Sequence, residues 1–292
     1  MNRLSITHET RYQYEREVSF GDWRLMLRPT DSHALRVVSA SLGFSPQGST
    51  RWAHDAYGNS ICHLRPLSPA SQLIITSQLV VDRYPNPLDA GMLQDPQSGL
   101  PIIYETSDRV ALTPLITPVT EDATGVLRDW IRAELQGTDT PALNMLQNLN
   151  RSLHARLSYV TRLEQGVQSP EQTLLLGTGA CRDYAWLMIE IVRRLGFAAR
   201  FASGYVASGG PGIIGGGATH AWCEVFLPVM GWVEFDPTNA QAESSDLIRI
   251  GATRTPAEAS PVQGSIIGNA FSSLYVDVRV QPAWAPQQTA MA

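Results

Sequence analysis

Cysteine is scarce in this chain. There are three in 292 residues, Cys62, Cys181 and Cys223, odd in number and far apart. That excludes a disulfide framework and fits a reducing, cytoplasmic compartment. The opening MNRLSITHETRYQYE lacks the apolar core of a signal peptide. No apolar run approaches the ~18 residues of a membrane span. A basic excess is also missing: the net charge is −5, which leaves no nucleic-acid footprint. No close C-x-x-C pair and no calcium loop is present. The glycine-dense stretch ASGGPGIIGGGAT, residues 207–219, lacks the G-K-[ST] ending of a phosphate loop. No cofactor and no metal is therefore expected. No internal repeat is visible.

The length allows one large or two modest domains. Residues 1–90 read as a β-rich, sandwich-like domain. RLSITHETRYQY alternates, SQLIITSQLVVDRY is rich in β-branched residues, and glycines and prolines punctuate at strand-like intervals. Proline and glycine make 91–116 a linker, beginning with YPNPLDAGML from residue 84. From 117 to 285 helices precede antiparallel strands, the order of an α+β core. EDATGVLRDWIRAEL and PALNMLQNLNRSLHARLSY each carry one apolar face, and Ser169 is placed to cap a short helix, SPEQTLLLG. The late strand SSLYVDVRVQ fits either sheet, and 286–292 is expected to fray.

The chemistry concentrates in three segments. In GTGACRDYAWLMIEIVRRLG, residues 177–196, apolar side chains recur every three or four positions, Arg193 and Arg194 close the last turn, and Gly196 stops the helix. The helix therefore starts close to Cys181. Unpaired N–H groups and the positive dipole end favour thiolate over thiol there, and offer donors to an oxyanion. THAWCEVFL and GWVEFDP alternate and are joined by PVMG, which makes an antiparallel hairpin. Pairing Leu227 with Gly231 and Phe226 with Trp232 places Trp222 opposite Asp236. His220 and Asp236 then share a face as diagonal neighbours. A one-residue slip would send Asp236 to the other face, beside Cys223. In the first register Cys181, His220 and Asp236 form a nucleophile, base and orienter.

Other residues weigh less. A zinc site from Cys181, His220 and Cys223 is disfavoured, because His220 and Cys223 point to opposite faces of one strand. Asp183 lies two positions along the helix from Cys181 and faces away from it, so it is expected to bind backbone N–H groups at the helix start. Trp222 and Trp232 are candidates to wall the cleft, and Tyr159 to give a second oxyanion hydrogen bond. Residues 207–219 are either a flexible connection or a flap beside His220.

GACRDYA, HAWCEVFLP and GWVEFDPTN, with SGYV at 203–206, resemble the motifs of the bacterial transglutaminase-like proteins, within the papain-like thiol-enzyme superfamily. ITHETRYQYEREV, WRLMLRP and DAYGNSICHL resemble the β-rich N-terminal region that many members carry. The resemblance spans most of the chain. It implies a transglutaminase-like core with the nucleophile at a helix N-terminus packed on an antiparallel sheet. It also implies Cys181 as nucleophile, His220 as general base and acid, and Asp236 as orienter. After DPTN such proteins often carry G-R-D-Y-x-D-V-x-P. Here IGATRTPAEASP, residues 250–261, stands in its place, with Arg254 for the arginine and no acidic or aromatic partner. The departure is expected to fall on the rim of the site. The combined expectation is an amide-bond enzyme working through an acyl-thioester on peptide or glutaminyl substrates, a cysteine protease or amidase by preference, with amine transfer by a transglutaminase as the alternative. A catalytically idle fold used for binding is the contrasting class.

Overall fold

The computed structural model describes residues 1–84, 100–136, 140–162, 164–207, 213–242, 244 and 246–283. The first 83 residues give five strands: β1 (Asn2–Arg28), β2 (Leu35–Ser45), β3 (Gly48–His54), β4 (Ser60–Pro66) and β5 (Ala70–Arg83). β1 alternates buried and half-buried positions from Leu4 to Thr10, as a strand with one face on a core must. Its first half pairs with β5 and its second half with β4, in the order β2-β5-β1-β4-β3. Tyr14, Val18, Phe20, Trp23, Leu25, Cys62, Leu64, Leu73 and Ile75 form the core of this sandwich-like unit.

The second unit contains α1 (Thr106–Ile116), α2 (Val126–Glu134), α3 (Ala142–Arg156), β6 (Ser158–Tyr159), α4 (Pro170–Leu176), β7 (Thr178–Gly179) and α5 (Cys181–Arg194). The strands β8 (Ala198–Val206), β9 (His220–Leu227), β10 (Gly231–Asp236), β11 (Gln241–Ala242) and β12 (Leu247–Thr253) follow. They form one antiparallel sheet in the order β11-β10-β9-β8-β12. α5 lies on the face of β9 that carries Ala221, Cys223, Val225 and Leu227, all in one core with Leu187, Met188, Ile191 and Val192. Ser169 caps α4: its Oγ accepts from Gln172 N at 3.1 Å, and Gln172 Oε1 accepts from Ser169 N at 3.2 Å.

Several boundaries differ from the sequence expectation. Residues 91–116 are not all linker. α1 occupies Thr106–Ile116, and Ile102, Tyr104 and Leu112 enter the core of the second unit. The lack of a one-sided apolar spacing hid this helix, which carries Pro114 and buries only Leu112. The core does not run unbroken to 285 either. After a short 3-10 turn at Pro256–Ala259 the chain returns to the first unit as β13 (Val262–Ile267) and β14 (Ser272–Pro282), both antiparallel to β1. Residues 91–99 of the expected linker, with 85–90 before them, and the tail 286–292 lie outside the described residues.

α5 is also less amphipathic than its spacing suggests. Glu190 and Arg193 mimic a polar face, yet both are buried. Arg193 reaches Glu190 at 3.2 Å and donates to the carbonyls of Ala199 and Arg254. Glu190 also accepts from Arg194 Nη1 at 2.9 Å and from the N–H groups of Val119 and Thr120. Each charge is matched by hydrogen bonds, which is what makes its burial tolerable.

The β9–β10 turn contains a conformational anomaly. Val229 has a φ of 69° and is 79% exposed. That left-handed conformation costs a β-branched residue on the order of 1–2 kcal/mol, and its exposed side chain offers little packing to offset the cost. Val229→Asn is therefore expected to raise stability by about 1 kcal/mol, read as a higher urea midpoint at unchanged slope. An unchanged or lower midpoint would refute the strain argument.

Candidate active site

Hairpin register decides the site. The observed pairs are Gly231 with Leu227, Trp232 with Phe226, Val233 with Val225, Glu234 with Glu224 and Phe235 with Cys223. The next pair in this register sets Asp236 against Trp222, so His220 and Asp236 are diagonal on one face. Their contact is direct: His220 Nε2 lies 2.8 Å from Asp236 Oδ2, and both side chains are fully buried. Asp236 Oδ1 accepts from Thr238 N at 3.0 Å, and Oδ2 accepts a second bond from Asn239 Nδ2 at 2.7 Å. The D-P-T-N turn is held from behind by α3, where His154 Nδ1 donates to Thr238 O at 2.9 Å.

Cys181 is the first residue of α5, preceded by Ala180 in extended conformation. Asp183 serves the helix start. Its Oδ2 accepts from Ala180 N at 2.8 Å, and its Oδ1 accepts from Gln168 N at 2.7 Å. Arg162 Nη1 neutralises it at 2.7 Å. The neighbouring Arg182 donates to the carbonyls of Arg162, Glu164 and Gly166, pinning the segment before α4 against the start of α5.

The electrostatics couple the three side chains. Burial works against charge on His220, but the Asp236 carboxylate and then Cys181 outweigh it, and the imidazole pKa is pushed up to about 10. Burial likewise works against the Asp236 charge. His220, Asn239 and the Thr238 N–H overcome it and hold the carboxyl below its ordinary range. His220 Nδ1 is buried and makes no hydrogen bond of good geometry. Nε2 is committed to Asp236, so Nδ1 is the nitrogen available to the thiol.

The other sequence candidates separate. Tyr159 lies on β6, which pairs with β7 just before Cys181: Val160 N donates to Gly179 O at 2.9 Å. Burial and then Cys181 raise the Tyr159 pKa, so its phenol sits in the field of Cys181. Trp222 is fully buried and stacks on His220 with centroids 6.3 Å apart. It backs the imidazole and lines no open cleft. Trp232 is four residues from Asp236 along β10, roughly 13 Å at strand rise. It packs against Phe226 and lies 4.0 Å under the Arg200 guanidinium, away from the other three.

The departure at 250–261 does not form a rim. Ala252 exchanges two hydrogen bonds of 2.9 Å with the Asn59 side chain, Gly251 packs on Met26, and Arg254 donates to Pro114 O at 2.7 Å. This segment joins the two units. The zinc alternative also loses its geometry: Cys223 is fully buried on the α5 face, and its pKa is raised by burial. Among the described residues no group of His, Cys, Asp and Glu is arranged to hold a metal. No helix among them is long and apolar enough to cross a membrane.

Residues 4–82 match the bacterial transglutaminase-like N-terminal region, and residues 130–237 match the transglutaminase-like superfamily. The second match includes Cys181, His220 and Asp236. An uncharacterized protein of Mycobacterium tuberculosis is 30% identical over 299 residues, covering 96% of this chain and 92% of the relative. One from Mycobacterium leprae is 23% identical over 283 residues, covering 96% and 99%. A solved structure from Cytophaga hutchinsonii, provisionally named a cysteine protease, superposes with a TM-score of 0.75 at 19% identity, covering 98% of this chain and 95% of its own.

Proposed function

Because the chain belongs to the transglutaminase-like superfamily, we propose that it is a thiol-dependent amide-bond enzyme, with Cys181, His220 and Asp236 as its triad and peptides as its substrates. One observation carries this reading. His220 is fixed by Asp236 through Nε2 at 2.8 Å and leaves a buried, unpaired Nδ1 for the thiol at the start of α5.

The chemistry follows from those positions. The Cys181 thiolate adds to a carbonyl carbon, and the oxygen takes the negative charge. Backbone N–H groups of the first turn of α5 and the Tyr159 hydroxyl are the donors for that oxyanion. Collapse expels the amine, which takes its proton from His220, and leaves an acyl-thioester on Cys181. Water, deprotonated by His220, then releases the acid and the free thiol. Hydrolysis is the preferred reading. Transfer to a primary amine, as a transglutaminase performs, differs only in what attacks the thioester.

The first test is the rate of iodoacetamide labelling at Cys181 against pH, in wild type and His220→Ala. Fast labelling at pH 6 that falls at least about tenfold in the variant is expected, because an imidazolium partner maintains the thiolate. Slow labelling in both, with an ordinary thiol profile, would refute the enzyme reading in favour of a binding role. Glutaminyl peptides incubated with and without a biotinylated amine then distinguish water from amine. The amine must be supplied, since all 22 basic side chains of the chain are arginine.

A further inference from the structure

The glycine-rich stretch before His220 is described from residue 213 onward, and it touches the triad at two points. Ile214 N donates to Asn239 Oδ1 at 2.8 Å, and Asn239 Nδ2 donates to Ile214 O at 3.0 Å. The same Nδ2 gives its second hydrogen to Asp236 Oδ2 at 2.7 Å. The amide orientation is fixed chemically, because a flipped Asn239 would set its oxygen against the carboxylate. Three hydrogen bonds thus join one side chain to the orienting carboxylate and to the segment that crosses the imidazole. A little further on, Gly217 O accepts from Val278 N of β14 at 3.1 Å, which ties the segment's far side to the first unit.

Gly215 is the residue of this segment that meets His220. A Cβ at Gly215 would lie 2.6 Å from His220 Nδ1 and 3.0 Å from Cγ. The ring cannot yield easily, held as it is by Asp236 at Nε2 and stacked on Trp222. Glycine at 215 therefore keeps open the space beside the nitrogen that must face the thiol.

We propose that Asn239 is a positioning residue that latches the segment 213–217 onto the His220–Asp236 pair, with Gly215 setting the clearance at Nδ1. The proposal rests on reading Cys181 and His220 as a reactive pair. Asn239 acts at both ends of one hydrogen-bonded chain. It restrains the carboxylate that orients the imidazole, and it holds the backbone that limits where the imidazole can go. A proton relay needs its atoms within a few tenths of an ångström. Losing the latch therefore frees both the orienter and the wall.

The test is iodoacetamide labelling of Cys181 at pH 6 in wild type, Asn239→Ala, His220→Ala and the double variant, with hydrogen exchange at the Ile214 amide. Asn239→Ala should label at least tenfold more slowly than wild type, and its Ile214 amide should exchange at least tenfold faster. In the His220→Ala background the same change should have no further effect on labelling, because Asn239 acts through the imidazole. An effect of full size in that background would reduce Asn239 to general structural support and overturn the proposal, as would wild-type labelling and exchange in Asn239→Ala. Gly215→Ala and Gly217→Ala give a second route that does not depend on Asn239. Both glycines have positive φ, but a Cβ at Gly217 meets open space. Slow labelling in the first alone supports the proposal, and equal rates refute it. If wild type labels slowly and His220→Ala changes nothing, the reactive-pair reading fails, while exchange at Ile214 still decides whether the latch exists.

Discussion

Glu224→Ala is expected to cost the protein about 3–5 kcal/mol of unfolding free energy, the range for removing one partner from a buried charge network. Glu224 sits mid-strand on β9 with its carboxylate fully buried. It accepts from Arg200 Nε at 2.7 Å and from Arg249 Nη1 at 2.9 Å. Burial opposes its charge, yet the two guanidiniums hold its pKa below the ordinary carboxylate value. Across the hairpin it faces Glu234, a like-charge pair that would be unfavourable alone. Arg83, from the first unit, answers Glu234 at 3.5 Å and also donates to Ser244 O at 3.2 Å. Removing Glu224 leaves Arg200 and Arg249 without their common anion and with only a minor share of their surface in water. Urea denaturation at pH 7 measures the cost. A loss under about 1 kcal/mol would mean that the arginines swing to solvent unaided, as at an exposed pair. Glu224→Gln keeps the volume and one acceptor oxygen and is expected to lose less.

The second large effect is a pH dependence carried by His220. Its folded pKa, near 10, lies above the ordinary 6.5 because Asp236 and Cys181 outweigh the burial that opposes its charge. A raised cationic pKa contributes stability that is complete below the unfolded value and lost as pH rises through the folded one. The stability gap between wild type and His220→Ala should therefore be on the order of 3 kcal/mol at pH 6 and shrink progressively up to pH 10. Asp236 has the opposite sign: its depressed pKa matters only in acid, where its contribution is lost as pH falls. Urea midpoints of both proteins at pH 6, 8 and 10 give the gap. A gap that stays constant over that range would mean His220 is neutral in the fold, and would remove the imidazolium from the mechanism. In the proposed mechanism the same proton goes to the leaving amine, so turnover should keep its acid-form histidine well above pH 6.5.

Much of this site was legible in the sequence because its parts are local. The α5 start follows from glycine placement, apolar spacing and arginines in the last turn. The hairpin register follows from two alternating runs around PVMG, and it brought His220 and Asp236 together without reference to the rest of the fold. What was not legible is long-range. Arg83, Arg200 and Arg249 are ordinary surface arginines until the sheet order places them around Glu224 and Glu234. Trp232 shares the face of Asp236, yet strand rise puts it beyond reach of the triad. Residues 272–281 carry the alternation of a strand, but alternation does not say which sheet they join. Asn239 stood in plain view three positions after Asp236, in GWVEFDPTN. Its role needed the coordinates of Ile214, which no periodicity predicts.

β1 pairs along one edge with β5 and along the other with β14, from Leu4 opposite Pro282 to Tyr14 opposite Ser272. β1 is thus completed by a strand that is synthesised only after the whole helical and β8–β12 unit between them. Until then that edge of β1 is open, and an unpaired strand of this length is an invitation to intermolecular pairing. A nascent chain stalled before Val262 would hold the His220–Asp236 hairpin beside a half-built sandwich, with Val278 not yet there to take up Gly217 O. Closure of this edge of β1 and completion of the wall around the imidazole therefore both wait on the synthesis of β14.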